Sequence, residues 1–212
     1  MAKQNRGLFL VVEGIDGAGT TTQAKRLYEA LQSQEIDCHL TREPSDGPIG
    51  RLLREILAGD HKPNDATSLG LLFAADRADH LQREVLPALE SGKLVISDRY
   101  YHSSLAYQGS DEDRSWIAIL NQRAMAPDCT FFLQVDPEVA AKRRSDDDRS
   151  EEIFDHLDTQ RRVAQGYLAV VRERGESECI ETIDGQLPMD EISARMLASA
   201  EEKIRARAKG DS

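Results

Sequence analysis

Phe9-Leu10-Val11-Val12-Glu13-Gly14-Ile15-Asp16-Gly17-Ala18-Gly19-Thr20-Thr21-Thr22 joins an apolar run to a glycine-rich turn and then to a helical pattern. The run Leu8–Val12 reads as a buried strand. Gly14 and Gly19 have the spacing of the phosphate-binding loop G-x-x-x-x-G-K-[ST]. Such a loop must turn several backbone N–H groups toward one anion, and glycines permit both the dihedrals and the close approach. The helix that follows adds unpaired N–H groups and the positive end of its dipole. Gly14, Ile15, Asp16, Gly17, Ala18, Gly19, Thr20 and Thr21 are therefore the expected cradle for the phosphates of a nucleotide. Thr21 falls where a hydroxyl would ligand Mg²⁺. The glycine order is G-x-x-G-x-G, which disfavours a dinucleotide turn. A strand-to-helix turn with no ligand is the plain alternative.

The loop departs from its pattern at one position. Thr20 stands where the pattern has Lys, whose ammonium faces the β- and γ-phosphates. A unit charge pair at about 4 Å contributes about 4 kcal/mol at an effective dielectric near 20. Uncompensated loss would therefore slow transfer by roughly a thousandfold. Lys25 lies more than one helical turn away, so arginines of the charged stretch Arg143–Glu152 are the expected substitutes.

Outward from the loop, short apolar runs alternate with helical periodicity. Further strands are expected at Cys38–Thr41, Leu94–Ser97, Thr130–Val135 and Glu178–Ile183. Helices are expected over Thr21–Gln34, around Ile49–Leu57, and over Thr67–Glu90 with Pro87 ending or kinking the last. Others are expected over Asp113–Met125, from Pro137 to Arg144, over Ile153–Arg174 and over Met189–Lys209. Five strands separated by helices imply an α/β fold with a five-stranded parallel sheet covered on both faces. Ligands of such sheets bind at the carboxyl ends of the strands, where Arg42, Asp98 and Arg99 fall. An Asp at that edge can hold Mg²⁺, and an Arg fork can bridge phosphates. Phe73 and Arg77 share a helix face, which suits core packing as well as a ligand.

Composition narrows the function classes. The net charge of -11 argues against a nucleic-acid partner and against an anionic membrane surface, while a local ring of arginines can still bind a nucleotide. No apolar stretch approaches the ~20 residues needed to cross a bilayer, and no signal peptide is visible, so a cytoplasmic chain is expected. Cys38, Cys129 and Cys179 are far apart with no CxxC pair, which points to reduced thiols rather than zinc or a disulfide framework.

Taken together, FLVVEGIDGAG (Phe9–Gly19), TREP (Thr41–Pro44), LLFAADR (Leu71–Arg77), DRYYHSSLAYQG (Asp98–Gly109) and APD (Ala126–Asp128) resemble the thymidylate kinase family, particularly its bacterial members, in order and spacing over nearly the whole chain. The resemblance implies a P-loop NTPase-type three-layer sandwich forming one unit over residues 1–212, with a small lid near residues 142–153. It implies phosphorylation of dTMP by ATP with Mg²⁺, and a homodimer. It places Asp16 and Arg99 at the reacting phosphates, with Arg143 and Arg149 closing from the lid. Arg42 and Arg99 would hold the acceptor phosphate. Phe73 and Arg77 would hold the base, bordered by Ser104, Tyr107 and Gln108. Thr21 and Asp98 would hold the metal. A kinase for another nucleotide or for a deoxynucleoside, and a catalytically weakened nucleotide binder, are the alternatives; Thr20 motivates the second.

Overall fold

The computed structural model describes residues 6–61, 65–146, 154 and 156–210. Strands β1 (Phe9–Gly14), β2 (Cys38–Arg42), β3 (Leu94–Asp98), β4 (Cys129–Gln134) and β5 (Ile180–Asp184) form one sheet in the order β2-β3-β1-β4-β5. Every pairing is parallel. Helices cover both faces, so β1 and β3 are buried at every position. This is why they read as continuous apolar runs rather than alternating ones.

Two cores result. Leu10, Val12, Leu27, Leu31, Phe131 and Leu133 pack with helices α1 (Thr20–Ser33), α8 (Leu157–Arg174) and α9 (Met189–Gly210) on one face. Phe9, Val11, Val95, Tyr100 and Leu105 belong to the opposite core, which includes α5 (Tyr101–Tyr107). Register places the chemistry. Val12 and Arg42 both pair with Asp98, and Gly14 pairs with Leu133. The carboxyl ends of β1, β2 and β3 thus bring Gly14, Arg42 and Asp98 to one edge.

The remaining helices are α2 (Pro48–Leu57), α3 (Ala66–His80), α4 (Leu86–Glu90), α6 (Arg114–Leu120) and α7 (Pro137–Asp146). Three differ from the periodicity. The long helix expected over Thr67–Glu90 contains a π turn over Leu81–Val85. The Leu86 N–H reaches back to the Leu81 carbonyl, and Pro87 follows with no N–H to give. Helix α6 stops at Leu120, because Asn121 leaves the helical geometry and its side-chain amide donates to the Ile117 carbonyl at 2.8 Å. Helix α8 starts at Leu157, with Phe154 still in a turn. Residues 142–146 of the expected lid form the end of α7, and its remainder, 147–153 with Arg149, lies outside the described residues. No described helix is long and apolar enough to cross a membrane.

Candidate active site

The loop after β1 closes on two glycines with left-handed backbone, Gly17 at φ 86° and Gly19 at φ 92°. A Cβ on Gly17 would meet the Ala140 carbonyl oxygen at 2.4 Å, so α7 packs directly on the loop. A Cβ on Gly19 would meet nothing within 4 Å. That glycine is required by backbone alone, with open space above it.

Asp16 is the loop's anchor. Arg99 Nη2 donates to Asp16 Oδ1 at 2.5 Å, and Gln160 Nε2 donates to Oδ2 at 2.8 Å. The Asp16 N–H donates to Tyr107 Oη at 3.1 Å and to Gln160 Oε1 at 3.2 Å. Its carbonyl accepts from Arg144. Arg99 also donates to the Gly14 carbonyl at 2.9 Å and lies over the Tyr107 ring, 5.4 Å from its centroid. Arg99 itself adopts φ 71°. Non-glycine residues hold that conformation only when surroundings impose it, and such residues cluster at functional sites. Burial works against the charge on Arg99, but the Tyr107 hydroxyl, Asp16 and Tyr167 outweigh it and raise its pKa further.

Below this pair sits fully buried Glu13. Its carboxylate accepts from the Tyr100 N–H at 2.9 Å, Ser103 Oγ at 2.6 Å and Tyr167 Oη at 2.8 Å. Burial raises its pKa, against the opposing pull of His102, Ser103 and Arg99. His102 is buried between Glu178 at 2.8 Å and Glu13 at 3.8 Å.

Thr21 Oγ1 donates to Asp98 Oδ2 at 2.5 Å. Asp98 Oδ1 is buried and has no hydrogen-bond partner among the described residues. A carboxylate oxygen left bare beside a hydroxyl at a phosphate loop fits a hard divalent cation, which takes oxygen ligands.

A cavity of about 390 Å³ runs from the loop to the helices. Asp16, Gly17, Gly19, Thr20, Thr21, Asp98 and Arg99 line one part of it, and Arg42, Phe73, Arg77, Tyr107 and Gln108 line the other. Arg42 is half exposed and paired with Asp46 at 2.9 Å. Phe73 also touches the small cluster of Leu53, Ile56 and Leu69. Arg77 is buried, with its Nε donating to Glu43 at 2.9 Å and its Nη2 to Ser104 at 3.2 Å. Asn121 takes another of its donors.

Not every expected residue faces this space. Ser104 meets Arg77 but does not line the cavity, whereas Ser103 does. Arg143 donates to the Gly185 carbonyl at 3.0 Å and does not line it, whereas its neighbour Arg144 does. Arg54, Gln160 and Phe154 were not legible as site residues. Arg54 lines the cavity and donates to the Pro44 and Ser45 carbonyls at 2.8 and 2.6 Å. Phe154 meets the Tyr107 ring edge-on at 5.4 Å between centroids.

A charge chain backs the cavity. Glu43 Oε1 meets His80 Nδ1 at 3.2 Å, His80 Nε2 meets Thr41 Oγ1 at 2.8 Å, and Glu84 bonds His39 at 2.8 Å. Burial lowers the His80 pKa, yet Glu43 and Glu84 more than reverse this, so it sits above its ordinary 6.5. The His39 hydrogen bond leads the causes that bring Glu84 down to about 2. A raised histidine gives stability that is complete below pH 6.5 and is lost as pH rises through its folded value. The lowered Glu84 gives stability present above pH 4.5 and lost as pH falls toward 2. Urea unfolding at stepped pH will therefore show wild type leading His80→Gln by a margin that shrinks above pH 6.5. A margin that grows with pH would contradict the network.

A parallel sheet that ends in this anion loop, with an arginine and a carboxylate fixed beside it, defines a P-loop nucleotide-binding protein. The sequence model described as thymidylate kinase matches residues 12–196. A probable thymidylate kinase of Thermococcus kodakarensis is 40% identical over 187 residues, covering 84% of this chain and 90% of the relative. A thymidylate kinase of Synechococcus sp. is 42% identical over 189 residues, covering 80% and 85%. A probable thymidylate kinase of Pyrococcus abyssi is 43% identical over 170 residues, covering 77% and 82%. The chain belongs to the thymidylate kinase family.

Proposed function

We propose that the chain transfers the γ-phosphate of ATP to dTMP, giving dTDP and ADP. The observation that carries this reading is the single cavity that joins the phosphate loop to Phe73 and Arg77, with Arg99 at the junction. The loop N–H groups bind the donor phosphates. Thr21 and Asp98 would hold Mg²⁺, which would supply positive charge at the donor phosphates. Arg42 and Arg99 hold the acceptor phosphate. Phe73 stacks on thymine, Arg77 addresses its carbonyl edge, Tyr107 and Gln108 border it, and Ser104 acts from outside the cavity by accepting from Arg77 at 3.2 Å. No general base is needed, since the acceptor phosphate is already an anion. In-line placement and positive charge supply the rate. The chain acts in the cytoplasm, without a nucleic-acid partner, as one unit whose lid closes over both substrates. Exposed Leu52, Leu71 and Ile119 offer apolar surface for a homodimer.

Arg144 replaces the missing lysine. Its stem lies against Gly17, its guanidinium reaches the Asp16 carbonyl, and it lines the cavity. Arg143 is directed at the Gly185 carbonyl, and Arg149, the other arginine expected to close over the phosphate, lies outside the described residues. Arg144→Ala lowers kcat by roughly a hundredfold to a thousandfold in a coupled ADP-release assay. Thr20→Lys in the otherwise native chain changes kcat by less than about tenfold. A several-hundredfold gain from Thr20→Lys would mean that no side chain had taken the lysine's place. It would favour the weakened-binder reading.

An acceptor panel with ATP and Mg²⁺ tests the proposal. dTMP should give the highest kcat/KM, ahead of dUMP and thymidine. A clear preference for thymidine would overturn it, because Arg42 and Arg99 would then have no phosphate to hold.

A further inference from the structure

At the opposite end of the sheet, the first residue of β4 and the residue before β5 are both cysteines. The registers Thr130 with Ile180 and onward make Cys129 and Cys179 cross-strand neighbours, and the Thr130 N–H donates to the Cys179 carbonyl at 2.8 Å. Parallel neighbours have Cα atoms about 4.8 Å apart, inside the window of about 4.4–6.8 Å that a disulfide accepts. Their sulfurs are 3.3 Å apart, and both are free thiols. Cys179 is exposed and Cys129 is buried. Glu181 Oε1 lies 3.6 Å from the Cys129 sulfur and 4.0 Å from that of Cys179. The same oxygen accepts from Lys203 at 2.6 Å and Ser199 at 2.8 Å.

We propose that Cys129 and Cys179 are a reversible oxidation site that closes to a disulfide by exchange with a small-molecule disulfide. The exposed Cys179 thiolate attacks one sulfur of the small disulfide. A mixed disulfide forms and one small thiolate leaves, taking up the proton that Cys179 lost. The Cys129 sulfur then attacks Cys179, the protein disulfide forms, and the second small thiolate leaves with the Cys129 proton. Two protein thiols are oxidised and one small disulfide is reduced to two thiols. The positions divide the labour: the solvent-facing sulfur meets the reagent, and the buried one waits within reach to resolve it. Burial, the hydrogen bond with Cys179 and the Glu181 carboxylate push the Cys129 thiol up, against Lys203, which suits the buried sulfur to resolving the mixed disulfide rather than to the first attack. A soft cation could also use the two sulfurs and Glu181. That oxygen, however, is already engaged by Lys203 and Ser199, which favours the exchange reading. The crosslink would tie residues 50 apart in sequence, enclosing β4, α7 and α8.

The test treats the reduced full-length protein with glutathione disulfide, then counts thiols, maps crosslinked peptides and records melting. Two of the three thiols should disappear, leaving Cys38, with a Cys129–Cys179 peptide in the digest. The melting temperature should rise by about 5 °C or more and fall back on adding dithiothreitol. Cys179→Ser, at an exposed position, should abolish both changes. Retention of all three thiols would overturn the proposal. So would a glutathione adduct on Cys179 that never resolves. A melting rise of the reduced protein with Zn²⁺, lost in Cys179→Ser, together with no crosslink, would assign the pair to a metal instead.

Discussion

Arg99→Ala lowers kcat for ATP and dTMP by about a thousandfold or more, with a much smaller change in the melting temperature. The size follows from what one guanidinium does: charge placed at a transferring phosphoryl group contributes about 10³–10⁵ in rate. Arg99 is built to stay in place. It is tied to Asp16 at 2.5 Å and to the Gly14 carbonyl at 2.9 Å, and Ser103 and Tyr167 lie at 3.3 and 3.4 Å. Arg99→Lys should recover little, because a point charge on a flexible stem cannot bond Asp16, Gly14 and a phosphate together. Arg99→Gly should be as inactive as Arg99→Ala yet more stable, since φ 71° is strained for alanine and open to glycine. Steady-state ADP release and thermal melts on the three variants check this. Activity within tenfold of wild type for Arg99→Ala would remove Arg99 from the reaction.

Glu43→Ala destabilises the fold by about 3–5 kcal/mol, the cost of leaving a buried charge without its partner. Glu43 and Arg77 side chains are each 3% exposed, and the guanidinium meets the carboxylate at 2.7 Å. The same carboxylate also partners His80, so its loss leaves the buried imidazole without that partner as well. At this chain length the loss corresponds to roughly 10 °C in melting temperature. Truncating both members, as Glu43→Ala with Arg77→Met, should recover most of the stability while acceptor binding stays lost. A double-mutant cycle measured by urea unfolding reads the coupling directly. Additive losses would mean that the pair does not act as a unit.

The strands and the loop were legible because burial on both faces writes them as unbroken apolar runs, and because the glycines sit where the backbone needs them. Arg42, Asp98 and Arg99 could be read as edge residues for the same reason. What stayed hidden depends on contacts across the chain. Successive residues on a helix point about 100° apart, so the charged stretch could not show that Arg144, not Arg143, meets the loop. Ser103 and Ser104 are divided by the same rotation. Gln160 bonds Asp16 across 144 residues, and no local pattern marks it. Cys129 and Cys179 looked unrelated until the register of β4 and β5 set them side by side. The helix over Tyr101–Tyr107 was missed because its face is fixed by Glu13 beneath it, which holds the Tyr100 N–H and Ser103.

The most direct test follows one phosphorus atom. ATP labelled at the γ-position is incubated with dTMP, Mg²⁺ and the protein, and the products are separated. Label should pass into dTDP in step with ADP formation, and neither should form when dTMP is withheld. Label recovered only as inorganic phosphate, at a rate indifferent to dTMP, would contradict an acceptor site opposite the loop.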